Sequence, residues 1–473
     1  MLNKNSGRAI MGSWHFVGIC GIGMSALAQF AAALGIKVSG SDRALENPEN
    51  EALKTMLQAQ GIQLFAQDGS RFASGSCPVD ALVYSTAIEE GNPEFAAAGS
   101  VRRIHRAAAL KMLIQERCVS GKPSIAVAGS CGKTSTTALI AEALCNMQIQ
   151  SECVNGGMIH AFAQGVYPGN YHPGSDALIF EADESDKSLL EFHPDYALVL
   201  NIGTDHYPKA ELVEMFAQFV NQAQKGAILL DEVYELLKDK INPALPVITF
   251  GSSSAAGIKV NAYHCGNGKS FAAFNDQVLP LPAPGWHTAL NVAAAAAVMM
   301  QMQIPFDRAL EAALRTRGVA RRFDFKGRTA AGAAVYDDYA HNPEKVANIL
   351  KTAQDLAGAD GRVLAFFQPH GYGPFGFMAG ELGRNLQKLL RKQDVFYLAE
   401  PYYAGGTSSF SPHAADVLQQ WHALAPDLPV YLAPDRAALK QLLLSQAGKK
   451  DLILIMGARD NTLAIFAADL AGC

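Results

Sequence analysis

The chain has 473 residues, 49% hydrophobic and 18% charged, with a formal net charge of -5; that length exceeds one ordinary core, so roughly two to four globular domains are expected. The mild acidity speaks against nucleic acid as a main partner, and eight scattered cysteines without a CxxC pair exclude a zinc-type spacing and favour reduced thiols over a disulfide framework. Met1 to Met11 lacks a signal-peptide core, and the longest apolar stretch, around Ala289 to Met302, is too short to span a bilayer, so a soluble cytoplasmic protein with no membrane partner is expected.

The first strand-like run, His15 to Ile19, leads into Gly18-Ile-Cys20-Gly21-Ile-Gly23-Met24-Ser25 and a helical pattern. This approximates a dinucleotide fingerprint, with Cys20 where the second glycine belongs. A second strand-like run ends at Asp42, where an acidic residue commonly binds a ribose hydroxyl. The loop suits a diphosphate but does not choose among NAD, FAD and a UDP-sugar. A third run, Leu82 to Ser85, follows.

Ser120-Gly121-Lys122-Pro123 marks a boundary before the apolar run Ser124 to Ala128. Then comes Gly129-Ser130-Cys131-Gly132-Lys133-Thr134-Ser135, opening a helical pattern from Thr134 to Met147. A strand turning through glycines into a helix start gathers backbone N–H groups on one spot, which binds phosphate. Lys133 then reaches the terminal phosphates and the Thr134 hydroxyl can ligate magnesium. The run Ala177 to Phe180 closes on Glu181-Ala-Asp183-Glu184-Ser185-Asp186, and Ala197 to Ile202 leads to Thr204-Asp205-His206. Carboxylates crowded at a strand end suggest a metal site, with His206 as a further ligand of magnesium or manganese. Ala227 to Leu230 is the next run, and Gly318 to Arg322 marks a second boundary. Beyond it, strands are expected at Val335–Tyr336, Val363–Phe367, Val395–Leu398, Val430–Leu432 and Leu452–Met456, with helical patterns between many of them. Such alternation argues for α/β architecture with parallel sheets.

Taken together, the Lys133 loop, the Glu181 block and Asn201-Ile-x-x-Asp205-His206 resemble the central domain of the Mur ligases. The resemblance continues through Pro284-Gly285-Trp-His287-Thr-Ala-Leu-Asn291, Gly318 to Phe323, Tyr336 to Pro343, Phe367-Gln-Pro-His370 and Met456-Gly-Ala458. It implies three α/β domains: a Rossmann-like UDP-sugar-binding domain over 1–121, a central P-loop ATPase-like domain with a mostly parallel sheet over 122–321, and a C-terminal Rossmann-like, amine-binding domain over 322–473.

The implied activity is an ATP-dependent amide ligation on the lactyl carboxylate of UDP-N-acetylmuramate through an acyl phosphate, with L-alanine the first choice of amine. Another small amino acid or a recycled tripeptide is an alternative, as is a non-catalytic homologue that only binds the nucleotides. Lys133, Glu184, His206, Arg322 and His341 are the expected catalytic group. ATP is expected on Gly129 to Ser135, His287, Asn291, Arg322 and Asp338, and the metal on Thr134, Glu184 and His206, with Glu181 a further candidate. The UDP-sugar is expected on Gly18, Gly21, Gly23, Met24, Ser25, Asp42 and Ser85. Nothing in the chain addresses oligomeric state.

The resemblance breaks in four places, one of them Tyr402-Tyr403-Ala404-Gly405-Gly406, which lacks the Glu of the family's Tyr-x-Ala-x-Glu segment. Cys131 stands where the family usually has His. After His370 the alanine-adding members continue with Arg and a Tyr-Ser/Thr-Arg-Thr run, whereas this chain reads Gly371-Tyr-Gly-Pro-Phe-Gly-Phe377. Gly457-Ala458-Arg459-Asp460 carries an arginine in place of glycine, which can replace the lost charge.

Overall fold

The computed structural model describes residues 12–73, 78–118, 121–185, 187–203, 207–266, 268–403 and 410–472. The chain divides into two compact units: Met1–Asn261 with Ala273–Val278 and His287–Val319, and Ala262–Ala272 with Leu279–Trp286 and Ala320–Cys473.

The first unit opens on strands β1 (Ser13–Val17), β2 (Lys37–Asp42), β3 (Gln63–Ala66), β4 (Ala81–Tyr84) and β5 (Arg102–His105), all parallel in the order β3-β2-β1-β4-β5. The chain leaves β1 for β2 on one side and later returns with β4 on the other. That reversal opens a crevice at the carboxyl ends of β1 and β4.

A ten-stranded sheet follows, built from β6 (Ser124–Ala128), β7 (Ser151–Val154), β8 (Tyr171–His172), β9 (Ala177–Glu181), β10 (Tyr196–Val199), β11 (Gly226–Leu230), β12 (Val247–Gly251), β13 (Ile258–Gly266), β14 (Lys269–Phe274) and β15 (Gln277–Pro280). β6 lies between β9 and β10 and is parallel to both. All five of its residues are buried, as expected for a strand covered on both faces. One hydrophobic cluster runs from Trp14 and Phe16 through Leu113 to Phe180, Phe216 and Leu229.

The second unit carries β16 (Asp324–Arg328), β17 (Ala334–Asp338), β18 (Val363–Phe367), β19 (Val395–Leu398), β20 (Val430–Leu432) and β21 (Leu452–Met456) in the order β16-β17-β21-β18-β19-β20. Only β16, at the edge, runs antiparallel to its neighbour.

Strands read as solid apolar runs fall where expected; Ser124–Ala128, Val363–Phe367 and Leu452–Met456 have the expected bounds. The missed strands include the edge strands β3, β5, β8, β15 and β16, and also β7, which is interior and wholly buried but short, with the partly polar sequence Ser-Glu-Cys-Val. β5 reads Arg-Arg-Ile-His, and in β13 buried and half-buried positions alternate from Ile258 to Asn261 before the strand becomes half-buried to exposed. The Ala-rich stretch is the helix Trp286–Gln301, whose Ala293 to Ala297 are wholly buried. Among the described residues no helix is long and apolar enough to cross a membrane.

Candidate active site

The loop after β6 turns directly into the helix Lys133–Asn146. Gly129 (φ 136°) and Gly132 (φ 87°) adopt backbone angles that side chains resist. At Gly129 a Cβ would also lie 3.1 Å from the backbone nitrogen of Asn201. The neighbouring strand β10 holds this loop from the side. The Asn201 Oδ1 accepts from the Cys131 N–H at 2.8 Å, and its Nδ2 donates to the Cys131 carbonyl at 2.9 Å. The Gly203 N–H donates to the Ser130 hydroxyl at 2.8 Å. Asn291, buried on the helix Trp286–Gln301, comes within 3.4 Å of where a Cβ on Gly132 would sit; His287, one turn earlier, is exposed.

β9 brings the acidic block to the other side of the loop. The Lys133 ammonium donates to the Gly129 carbonyl and to Glu184 Oε2, each at 2.7 Å, with Asp183 Oδ1 3.8 Å away. Burial depresses this ammonium, but Glu184, Asp183 and Glu181 outweigh burial and hold its pKa above the ordinary lysine value. The Thr134 hydroxyl donates to Glu181 Oε2 at 3.1 Å, and Gly156 N–H donates to the other oxygen at 2.5 Å. Glu184 is therefore the partner of Lys133, and Glu181 the partner of Thr134. Asp186 and His206 lie outside the described residues.

In the first sheet, Gly18 to Gly23 sit at the carboxyl end of β1. Gly21, Ile22 and Gly23 are exposed at the start of the helix Ile22–Ala33, which has neither a side-chain cap nor an acidic residue in its first turn. Such an end offers bare N–H groups to an anion. Asp42 shapes the loop, accepting from Cys20 N–H and Ala44 N–H at 2.8 Å each. Burial first, and Asp42 second, push the Cys20 thiol up to about 12, so it stays protonated. Ser85 follows β4 across the crevice. Met24 and Ser25 point inward: the Ser25 hydroxyl donates to the carbonyls of Gly21 and Ile22 and accepts from Asn170 Nδ2 at 2.8 Å. Arg106, after β5, joins the two loops. Its guanidinium lies 3.7 Å from a Cβ on Gly23 and 3.3 Å from Asp183.

In the second unit the carboxyl ends of β17, β21 and β18 carry Asp338 to His341, Gly457 to Asp460, and Gln368 to His370. Arg321 is buried, donating to Asp337 Oδ2 at 3.3 Å and to the carbonyls of Ala458 and Gly457. Both guanidinium groups, Arg321 and Arg322, stack near the Tyr339 ring at 5.2 and 5.0 Å. Asp338 accepts from Phe323 N–H and Ala340 N–H at 2.7 Å each, and burial raises its pKa. The His341 Nδ1 donates to the Tyr339 carbonyl at 2.9 Å; burial, then Lys345, hold it down at about 3, so the imidazole is neutral. Its ring meets that of His370 edge-on at 5.5 Å.

Three family models match the chain in order: the Mur ligase family catalytic domain over 13–117, the Mur ligase middle domain over 127–299, and the Mur ligase glutamate ligase domain over 321–459. The UDP-N-acetylmuramate–L-alanine ligase of Renibacterium salmoninarum is 33% identical, covering 96% of this chain and 94% of the relative. The chain belongs to the Mur ligase family. The ligase of the same description from Thermobifida fusca is 32% identical over 96% of this chain and 95% of its own. Among solved structures, the UDP-N-acetylmuramate-alanine ligase of Thermotoga maritima superposes with a TM-score of 0.77 at 25% identity, covering 98% of both chains. A murein peptide ligase from Psychrobacter arcticus shares the fold, with a TM-score of 0.67 at 20% identity over 98% of each chain.

In this Mur ligase, sequence reasoning left out the residues that hold the machinery in place. Asn201 clamps the Gly129–Thr134 loop, Arg106 bridges the two loops, and Arg321 with Asp337 ties the start of the third sheet to the loop after β21. Asn201 and Arg106 carry a legible signal, since each closely follows a strand of a parallel sheet on its ligand-binding edge.

Proposed function

We propose that this Mur ligase spends ATP to join L-alanine to the lactyl carboxylate of UDP-N-acetylmuramate. One observation carries the reading. The Lys133 ammonium, the N–H groups of the Gly129–Thr134 loop and the Glu181–Glu184 carboxylates converge on one spot, in a chain about one-third identical to such ligases over nearly its whole length.

A lactyl carboxylate oxygen attacks the γ-phosphorus, the bond to the β-bridging oxygen breaks, and ADP leaves. The amine nitrogen then attacks the acyl phosphate carbonyl, inorganic phosphate leaves, and the nitrogen loses its proton. Phosphoryl transfer asks the protein mainly for position and neutralised charge. Lys133 meets the terminal phosphates by exchanging its hold on Glu184, and Asn201 keeps the loop amides aimed. The uncapped helix start at Gly21–Gly23, with Asp42 shaping the loop and Ser85 across the crevice, takes the UDP-sugar diphosphate. His287 and Asn291 are assigned to the nucleotide base, and Arg322, Asp338 and His341 to ATP.

Magnesium or manganese fits this donor set. The Thr134 hydroxyl and Glu181 carboxylate are hard oxygen donors 3.1 Å apart. Among the described residues no group of three His, Cys, Asp or Glu forms a ready cage. Magnesium, typically held by one or two carboxylates plus phosphates and water, needs none. Such an ion, when bound, neutralises charge on the β- and γ-phosphates. Glu184 and His206 are the remaining assigned ligands.

The test is phosphate release with ATP, UDP-N-acetylmuramate and a panel of amines. Release that ignores the sugar nucleotide sinks the reading. Release with another amino acid or a peptide, but not alanine, keeps the chemistry and changes the amine. A specific observation favours keeping that second reading. The run after His370 opens the helix Tyr372–Leu389, where Tyr372 packs against Phe410 and His413 beside Glu400 and supplies no guanidinium.

A further inference from the structure

The carboxyl edge of the third sheet is rich in cationic groups, and most are already engaged. Arg436 donates to Asp460 at 2.7 Å and to Gln368 at 2.9 Å, and lies between the Phe366 and Phe466 rings. Arg321 is held by Asp337 and two carbonyls. Arg322 lies over Tyr339 and beside Asp338. Arg459 differs. It is exposed, and among the described residues no carboxylate forms an ion pair with it.

Two further features lie beside it. β18 and β21 are neighbours in register, Phe367 opposite Met456, so the loops that follow them run together; a Cβ on Gly457 would come within 2.9 Å of the Gln368 carbonyl. The β18 loop ends in His370, whose Nδ1 is buried with no hydrogen-bond partner. A buried polar atom left unpaired is costly, which marks this edge as built for a group not yet present. His370 stays neutral, first through burial and then through the nearby Arg459 charge. Immediately after it, the 18-residue helix Tyr372–Leu389 starts from Gly371 with no side-chain cap and no acidic residue in its first turn. An exposed guanidinium and bare helix N–H groups favour an anion, and the unpaired His370 Nδ1 donates to it in the tautomer that carries the proton there.

We propose that Arg459, with His370 and the N-terminal turn of the helix Tyr372–Leu389, holds the carboxylate of the incoming amine. The inference rests on the ligase reading above. It assigns to the loop after β21 the carboxylate recognition that the Gly371–Phe377 run has no arginine to perform. The planar guanidinium fork matches a carboxylate bidentately, which a lysine does not.

The experiment compares wild type with Arg459→Met and Arg459→Lys, using L-alanine, L-alaninamide and the same amino-acid panel. Arg459 is exposed, so the variants are expected to melt with the wild type. In Arg459→Met the KM for the amino acid rises about 10- to 100-fold, the loss of one charge-assisted contact. The KM values for ATP and UDP-N-acetylmuramate stay put, and kcat at saturating amine changes little. The preference for alanine over alaninamide collapses, and Arg459→Lys falls between. An unchanged KM for the amino acid overturns the proposal, as does a rise in KM for ATP instead, which makes Arg459 a phosphate ligand. If the wild type releases no phosphate with any amine, the ligase reading fails first and takes this inference with it; normal wild-type turnover with an indifferent Arg459→Met sinks the inference alone.

Discussion

Lys133→Met separates what the lysine does for the fold from what it does for the chemistry. Glu184 has a side chain only 4% exposed, and Lys133 is the one described side chain that pairs with its carboxylate. Deleting the ammonium leaves that carboxylate buried without compensation, a change that costs about 3–5 kcal/mol in comparable buried pairs. In the thermal transition of the first unit this corresponds to a downward shift on the order of 10 °C. Adding Glu184→Gln removes the stranded charge, so the double variant recovers most of the lost stability. Activity does not follow. Both variants lack the cation that neutralises the terminal phosphates, so phosphate release falls at least ~100-fold in each. Calorimetry on the single and double variants, read beside phosphate release, checks both halves. A Lys133→Met protein that melts with the wild type refutes the buried-pair argument. A double variant as unstable as the single one refutes the assignment to Glu184, and retained turnover refutes the role of the loop.

Three further outcomes follow from the same geometry. Asn201→Ala removes both hydrogen bonds to Cys131, together worth roughly 1–3 kcal/mol, so a non-hydrolysable ATP analogue binds about tenfold more weakly by titration calorimetry while UDP-sugar affinity is unchanged; equal nucleotide affinity rules out the clamp. Thr134→Val loses turnover and its response to added magnesium, whereas Thr134→Ser keeps both; an active valine variant removes Thr134 from the metal assignment. Burial, only partly offset by Arg321, lifts the Asp337 carboxyl to about 6, so below its unfolded pKa it supports the fold fully, and that support is lost as pH rises from about 4 through about 6, a span worth roughly 3 kcal/mol. Denaturation across this range is therefore flatter in Asp337→Asn than in wild type; superimposable pH profiles refute the assignment.

The parts of this fold that sequence makes legible are those whose signal is local. β6 reads as a strand because four of its five residues are apolar, and the loop after it reads as a strand-to-helix turn because glycines and a helical pattern follow in order. The pairing within the acidic block is different in kind. Glu181 and Glu184 are three residues apart and chemically alike. Which of them meets Thr134 and which meets Lys133 depends on β9 lying directly beside β6, a fact of strand order and not of spacing. The clamping task of Asn201 is hidden from local sequence for the same reason, since it exists only because β10 flanks β6 on the other side. Ser25 stands in the glycine-loop motif and falls on the inward face of the helix Ile22–Ala33, where its hydroxyl accepts from Asn170.

Asp337 and Asp338 carry this argument into the second unit. Neighbouring residues of a strand point to opposite faces, so two adjacent aspartates in β17 cannot share one task. Asp337 faces Arg321, and the pair holds the loop after β21 through the carbonyls of Gly457 and Ala458. Asp338 faces the other way and engages the backbone on both sides of its strand, Phe323 before it and Ala340 after it. Arg321 and Asp338 thus fix the backbone that carries Arg322, His341 and Arg459, the residues proposed above to meet ligands. In this unit the buried charged groups hold the backbone in place. A substitution at Arg321 is accordingly expected to disturb ATP and amine kinetics together, whereas one at Arg459 touches the amine alone.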